Sequence, residues 1–142
     1  MAEMTEYELK MLMDADPNIV SMIDPRSYTA LYQNKTGRVK LGVLTGRTCY
    51  KTIPKLEAVC PFCKMPEAMR TGERQSSEVQ LPDGTWLLVQ FSPIKRSDGR
   101  VDIVETITDI SDIKKREEEL KKTVALLLER DAEIEKLKEK AP

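Results

Sequence analysis

Residues 75–112 read QSSEVQLPDGTWLLVQFSPIKRSDGRVDIVETITDISD and carry the clearest fold signal of the chain. They contain three β-prone runs, at residues 75–81, 85–94 and 101–108. Pro-Asp-Gly and Ser-Asp-Gly separate these runs and supply residues that tolerate the positive φ angles of tight turns. In the middle run, Leu87, Val89 and Phe91 alternate with a mixed set of residues, as in a sheet that helices cover on one side only. The pattern predicts a three-stranded antiparallel meander.

The sequence before the meander predicts a helix, a hairpin and then a group of small helices. Residues 5–13 favour a short helix, which Asp16-Pro17 ends. Two further β-prone runs, residues 19–23 and 28–32, flank the turn-forming sequence Asp-Pro-Arg-Ser. Glycines and prolines then break residues 34–72 into short apolar clusters, which favours small helices and loops. All three cysteines lie in this middle segment.

The C-terminal residues 112–140 have the pattern of a coiled coil. They are rich in charge, and their apolar residues follow a 4-3-4-3 seam interrupted by one aspartate. The seam residues are Leu120, Val124, Leu127, Asp131 and Ile134, and Ile113 continues the seven-residue spacing. A polar seam residue sets register at a cost in stability, or marks a weak coil. Because so polar a helix is poorly stabilised alone, we expect a parallel homodimer through it.

Composition limits the function classes. The chain has 142 residues, 40% of them hydrophobic, enough for one domain with a core and an appendage. Its 23 basic and 24 acidic residues give a net charge of −1, so we expect no nucleic-acid binding. No apolar run approaches the roughly 20 residues of a membrane helix, and the N-terminus lacks signal-peptide features. We therefore expect a cytoplasmic protein without membrane contact.

The order of these motifs resembles the PAS family over residues 16–112. The most specific part is the junction TDISD at residues 108–112, similar to the Asp-Ile-Thr-like motif through which PAS domains leave their last strand. LPDGTW at residues 81–86 looks like the hairpin between the third and fourth PAS strands. GRTCY at 46–50, with CPFC at 60–63 and EAMRTGE at 67–73, is similar to a cysteine-bearing PAS subgroup.

The resemblance implies an α+β fold, with a five-stranded antiparallel sheet, small helices on one face, and a C-terminal coiled-coil helix. The corresponding division of the chain is a lead-in helix at 1–15, a PAS sensor domain at 16–112 and a signalling and dimerisation helix at 113–142. The implied function is a non-enzymatic module that senses a ligand, metal or redox state. It would relay the signal to an effector domain or kinase, as in two-component systems, and the fold leaves the ligand open.

The three cysteines allow several chemistries. Cys60 and Cys63 form a Cys-x-x-Cys pair that can point two thiols at one atom, and Cys49 lies upstream. Zinc or an iron–sulfur cluster usually takes four protein ligands, so an acidic residue, an exogenous ligand or a partner chain would have to complete such a site. If the helix predicted after Cys63 starts there, its N-terminus and Lys64 would lower a thiol pKa and favour a redox pair. Buried structural cysteines are the third interpretation.

Other cofactor and relay assignments follow from single residues. The chain has no histidine, which excludes His-ligated haem and His-containing zinc sites. Asp109 and Asp112 are predicted to couple the sheet to the exit helix, by capping its free N–H groups. Either a ligand cavity or a plain core explains one further set of apolar residues: Met22, Leu31, Leu44, Ile53, Leu56, Val89, Phe91 and Ile103.

Two other function classes compete with the sensor interpretation. Cys-Pro-Phe-Cys is also used by glutaredoxin-like thiol-disulfide oxidoreductases, in which Cys60 and Cys63 would be the active pair. In those proteins the motif follows an early strand of a βαβ unit, whereas here hairpins follow it. A ligand-free dimerisation module would keep the fold and the coil but have a filled, dry core.

Overall fold

The computed structural model describes residues 3–52 and 57–141 of the chain. The chain divides into two compact units, Met1–Asp109 and Ile110–Pro142. The first unit contains these elements in order: α1 Glu6–Asp14, β1 Ile19–Asp24, β2 Thr29–Gln33, α2 Lys35–Leu41, α3 Cys49–Thr52, α4 Met65–Thr71, β3 Gln75–Gln80, β4 Trp86–Lys95 and β5 Val101–Asp109. The second unit contains α5, Ser111–Lys140.

The sheet has five antiparallel strands in the order β2-β1-β5-β4-β3. The predicted hairpin and meander are confirmed, and each strand lies within one residue of its predicted start. The first and last parts of the domain therefore meet in the middle of the sheet, where β1 pairs with β5. Gly84 and Gly99 have φ angles of 93° and 85°, the left-handed region that the two meander turns require.

The core lies on one face of the sheet, where α2, α3 and α4 cover it. Its buried residues come from four strands, from α4 and from the segment before α3, and they are Ile23, Ala30, Leu44, Met65, Ala68, Val89, Phe91 and Ile103. Along β1, β4 and β5, every second side chain points into this core, because successive side chains of a strand point to opposite faces of the sheet. The alternate residues of these strands form the opposite face of the sheet, where Met22, Leu88 and Val104 are only partly buried.

A buried amide connects α1 and the loop after it to the sheet. Asn34 is 0% exposed and caps α2. Its Oδ1 accepts from the N–H groups of Val20 and Gly37, and its Nδ2 donates to the carbonyls of Met13 and Asn18, at 3.0–3.1 Å. All four hydrogen-bonding positions of the amide are thus used, so its burial carries no unsatisfied polar group.

A buried carboxylate holds together the two turns at the other end of the sheet. Asp102 is 0% exposed, and Arg26, Arg96 and Arg100 donate to it at 2.8, 3.1 and 3.2 Å. Arg26 comes from the β1–β2 turn, while the other two flank the β4–β5 turn. Because a buried charge needs partners, this network fixes both turns with respect to each other.

The two terminal helices differ in how they are stabilised. A capping box between Thr5 and Glu8 starts α1, and no residue of α1 is buried. Helix α5 is 30 residues long and likewise buries none of its residues. Its apolar side chains are exposed in the single chain, Leu120 by 63% and Leu127 by 54%. In the described part of the chain, no helix is long and apolar enough to span a bilayer.

Candidate functional site

A cavity of about 420 Å³ lies between the inner face of the sheet and the small helices. Its wall is mostly aliphatic, with a few polar and sulfur-containing residues. Four of its lining residues are exposed and mark the mouth: Pro17, Lys40, Leu81 and Asp109. A concave, largely apolar space of this size with few polar groups is typical of a small-molecule site.

Two polar side chains face each other inside the cavity. Glu105 lies on β5 and Ser21 directly opposite on β1, and both line the cavity. Such opposite residues have Cβ atoms about 4.5–5.5 Å apart. No hydrogen bond or ion pair of the described residues involves either side chain, and neither is among the fully buried polar atoms that lack a partner, so both are accessible from the cavity. The cavity therefore contains a small polar patch that is open to a ligand.

Burial raises the pKa of Glu105 from 4.5 to about 7. Its side chain nevertheless keeps some accessible surface. A raised pKa and an accessible surface are compatible when that surface faces the cavity and not bulk water. The surrounding protein then still removes most hydration from the charged form of Glu105. Burial is the cause of the shift, and no cation of the described chain offsets it.

The three cysteines lie around this carboxyl group. Cys49 begins α3 and donates its N–H to the carbonyl of Tyr28, and the N–H of Cys63 donates to the carbonyl of Cys60 in a turn. Cys49 and Cys60 line the cavity. The Ser77 hydroxyl donates to the carbonyl of Phe62 at 2.9 Å, which ties the cysteine turn to β3. All three are free thiols.

The expectation of a lowered thiol pKa is wrong. Burial raises the pKa of Cys49 to about 12 and also raises that of Cys60 and Cys63, and the charge of Glu105 raises all three further. The helix begins at Met65, and its N–H does lower the pKa of Cys63, but burial outweighs it. At neutral pH the thiols are therefore protonated, which disfavours rapid disulfide exchange.

A closed metal site is absent from the described residues. Neither residues 3–52 nor 57–141 contain three or more Cys, Asp or Glu side chains placed to hold a metal ion together. Ligation by Cys49, Cys60 and Cys63 stays a prediction that needs movement of the cysteine turn or an additional ligand.

The two acids predicted at the exit helix have different positions. Asp109 ends β5 and lines the mouth of the cavity. Asp112 lies exposed in the first turn of α5, which begins at Ser111, before the predicted boundary. Ile110 holds the N-cap position of α5 and makes no side-chain cap, so capping of the helix by Asp109 or Asp112 stays a prediction. Asp112 still favours the positive end of the helix, and a relay role for both acids stays a prediction.

No protein-family model matches the sequence, and no curated protein matches it. Several solved structures do match this chain. An RNA-binding light-oxygen-voltage receptor matches 88% of this chain at 17% identity and a TM-score of 0.60, and the chain spans 38% of that receptor. A sensory box histidine kinase from Vibrio cholerae matches 72% at 15% identity and a TM-score of 0.51, over 87% of its chain. The PAS domain of nitrogen regulation protein NR(II) from Vibrio parahaemolyticus matches 72% at 12% identity and a TM-score of 0.54, over 97% of its chain.

The chain has the PAS fold. At these identities the likeness establishes the fold, and it confirms the predicted α+β architecture with a long C-terminal helix. The cavity described above lies inside the PAS domain, between its sheet and its small helices.

The eight apolar residues for which the sequence allowed either a cavity or a plain core divide into three groups. Two of them line the cavity, Leu44 and Val89. Four lie elsewhere in the core or on the opposite face of the sheet: Met22, Leu31, Phe91 and Ile103. The other two, Ile53 and Leu56, lie outside the described residues.

Sequence reasoning missed the two polar residues at the centre of the PAS cavity. A usable signal was present, because Glu105 shares its strand parity with Ile103 and Ile107, and Ser21 shares its parity with the buried Ile19 and Ile23. A polar residue at an inward-facing position of a central strand is unusual and indicates a site.

Proposed function

We propose that this PAS domain is a signal-sensing module that receives a small-molecule ligand in its cavity and relays binding through α5 in a homodimer to an effector. One observation carries the proposal. A cavity of about 420 Å³ contains two polar side chains, Glu105 and Ser21, without partners among the described residues. A few polar groups that face a largely apolar cavity are the contacts that orient a small-molecule ligand, so a ligand that pairs with them is favoured.

The route of the signal follows the strand that carries the sensing residue. Glu105 and Asp109 lie on β5 with side chains of the same parity, one inside the cavity and one at its mouth. Helix α5 begins two residues after Asp109. A ligand that shifts β5 therefore acts on the segment directly connected to α5. The output is a change at that helix, and the effector is a covalently linked domain or a separate protein such as a kinase.

Dimerisation through α5 rests on its unpartnered seam. Isolated helices are marginal in water without packing, and α5 buries none of its residues. The seam residues Leu120, Val124, Leu127 and Ile134 are 47–63% exposed in the single chain. Asp131 at one seam position lowers the stability of the coil, which suits a helix pair that must change state.

Redox and enzymatic functions have less support. The thiols of Cys60 and Cys63 have raised pKa values, so few thiolates are available as nucleophiles at neutral pH. The turn that carries them precedes a helix of seven residues within an antiparallel domain. We therefore assign no catalytic step to the chain. Metal binding by the cysteines is the alternative that metal analysis of the purified protein would test.

The dimer is tested with two adjacent leucines. Leu127 lies on the seam and Leu126 off it, and they are 54% and 61% exposed in the single chain. Leu127→Ala should weaken the dimer at least about 100-fold in Kd, because a buried Leu-to-Ala change costs about 2–5 kcal/mol and occurs in both chains. Leu126→Ala has the same effect on helix propensity and should leave Kd nearly unchanged. Sedimentation equilibrium measures both, and a monomeric parent protein at high concentration would contradict the proposed dimer.

A further inference from the structure

The lining of the PAS cavity combines one carboxyl group with an otherwise almost neutral wall. Ile19, Val89 and Ile107 are among its aliphatic residues, and Cys49 and Cys60 contribute neutral thiols. The other charged lining residues, Lys40 and Asp109, lie at the exposed mouth. Among the described lining residues, Glu105 is therefore the charged group inside the cavity, and no counter-ion of the described chain accompanies it.

A buried carboxylate is stabilised by a cation and by hydrogen-bond donors. Ser21 Oγ lies on the neighbouring strand, directly opposite Glu105, and is also without a partner among the described residues. Two carboxylate oxygens and one hydroxyl oxygen offer three acceptors at one place. A primary ammonium group has three donors and no acceptor, so it matches this set.

We propose that the cavity binds a small primary amine with an apolar body, its ammonium group held by Glu105 and Ser21 and its body packed against the aliphatic wall. The inference rests on the proposed sensing function and names the ligand class of that site. A neutral hydroxyl ligand would use the same groups, but it has a single O–H donor and no charge to offset that of the carboxylate, whereas an ammonium group has three donors and a positive charge.

Binding of an amine is expected to depend on pH in a defined direction. An ammonium ligand favours the ionised form of Glu105, whose pKa in the free protein is raised to about 7. Below that value a proton must leave Glu105 on binding, so the affinity should fall by up to about tenfold per pH unit. The titratable groups that face Glu105 are Cys49, Cys60 and Cys63, and their raised pKa values keep them neutral between about pH 5 and 8.

The test uses three compounds with the same ring and chain: 2-phenylethylamine, 2-phenylethanol and 3-phenylpropanoic acid. Each is titrated to millimolar concentration into the ¹⁵N-labelled full chain at pH 8, and amide shifts locate the binding site. We expect the amine to shift amides around Ser21 and Glu105 and to bind at least about tenfold more tightly than the alcohol. The acid should bind most weakly, because its charge repels Glu105.

Two variants separate recognition from folding. Glu105→Gln keeps the shape of the side chain and should abolish the preference for the amine over the alcohol. Ser21→Ala should weaken the amine by about threefold to tenfold, the effect of one hydrogen bond. The spectrum of each variant shows directly whether it is folded. If the Glu105→Gln variant proves unfolded, the pH series on the parent protein still decides the question.

The outcomes distinguish the ligand class from the sensing function. Equal binding of the amine and alcohol inside the cavity, or an amine affinity that does not change between pH 5 and 8, overturns the amine assignment and leaves cavity sensing intact. If no compound shifts the amides of cavity residues, the amine assignment fails and the proposed sensing site loses its support as well.

Discussion

Replacing Glu105 by Gln should stabilise the ligand-free protein at pH 8. The folded state raises the pKa of this carboxyl group from 4.5 to about 7, a difference of about 2.5. At about 1.4 kcal/mol per pKa unit, this corresponds to an upper value of about 3 kcal/mol of destabilisation once the group is ionised in both states. Because the cavity opens to solvent at its mouth, screening of the charge lowers this value, and about 2–3 kcal/mol is the expected gain.

The sign of the pH dependence follows from the raised pKa. Between about pH 4.5 and 7 the folded state binds more protons at Glu105 than the unfolded state does, so the stability of the parent protein falls as the pH rises through this window. Above pH 7 the full penalty is present. The advantage of the Glu105→Gln variant should therefore be less than about 1 kcal/mol at pH 5 and reach its full value near pH 8.

Urea unfolding of both proteins at pH 5, 6, 7 and 8 measures this difference. The chain has no histidine, so few other side chains titrate in that range. Protein concentration is kept constant, because association changes apparent stability. Equal m-values show that both proteins unfold the same surface. Parallel stability curves for parent and variant across the range would refute the assignment of a buried, unpaired carboxyl group.

Two further predictions concern other parts of the domain. Asp102→Ala should cost about 3 kcal/mol, since it leaves three arginines without their shared buried carboxylate, whereas Asp98→Ala in the neighbouring turn should cost about 1 kcal/mol or less. Equal losses in urea unfolding would argue against the network. Native Cys49 should react with iodoacetamide at pH 8 about a thousandfold more slowly than after unfolding, because its pKa is raised from 9.0 to about 12. A native rate like that of a free thiol would contradict the buried position, and Cys60 and Cys63 should be slowed less.

Local sequence was sufficient for the secondary structure. The turns at Gly84 and Gly99 and the alternation in β4 produced the meander, since strand period and turn chemistry depend on neighbours in the chain. The start of α1 also depends on neighbouring residues in the sequence, because Thr5 and Glu8 form its capping box. The start of α5 lies slightly before the residue that the sequence predicts, as helix ends depend on a few weak contacts.

The sequence by itself identified the cysteines as possible reactive groups, because their spacing is visible along the chain, but it did not identify Glu105 or Ser21. Only the tertiary structure decided the properties of the cysteines. Burial and the charge of Glu105 raise the thiol pKa values, reversing the effect expected from the helix start and Lys64. The pairing of β1 with β5 likewise brings Ser21 to Glu105 across 84 residues of sequence. Desolvation and such contacts depend on which atoms surround a group in space, and sequence spacing does not contain that information.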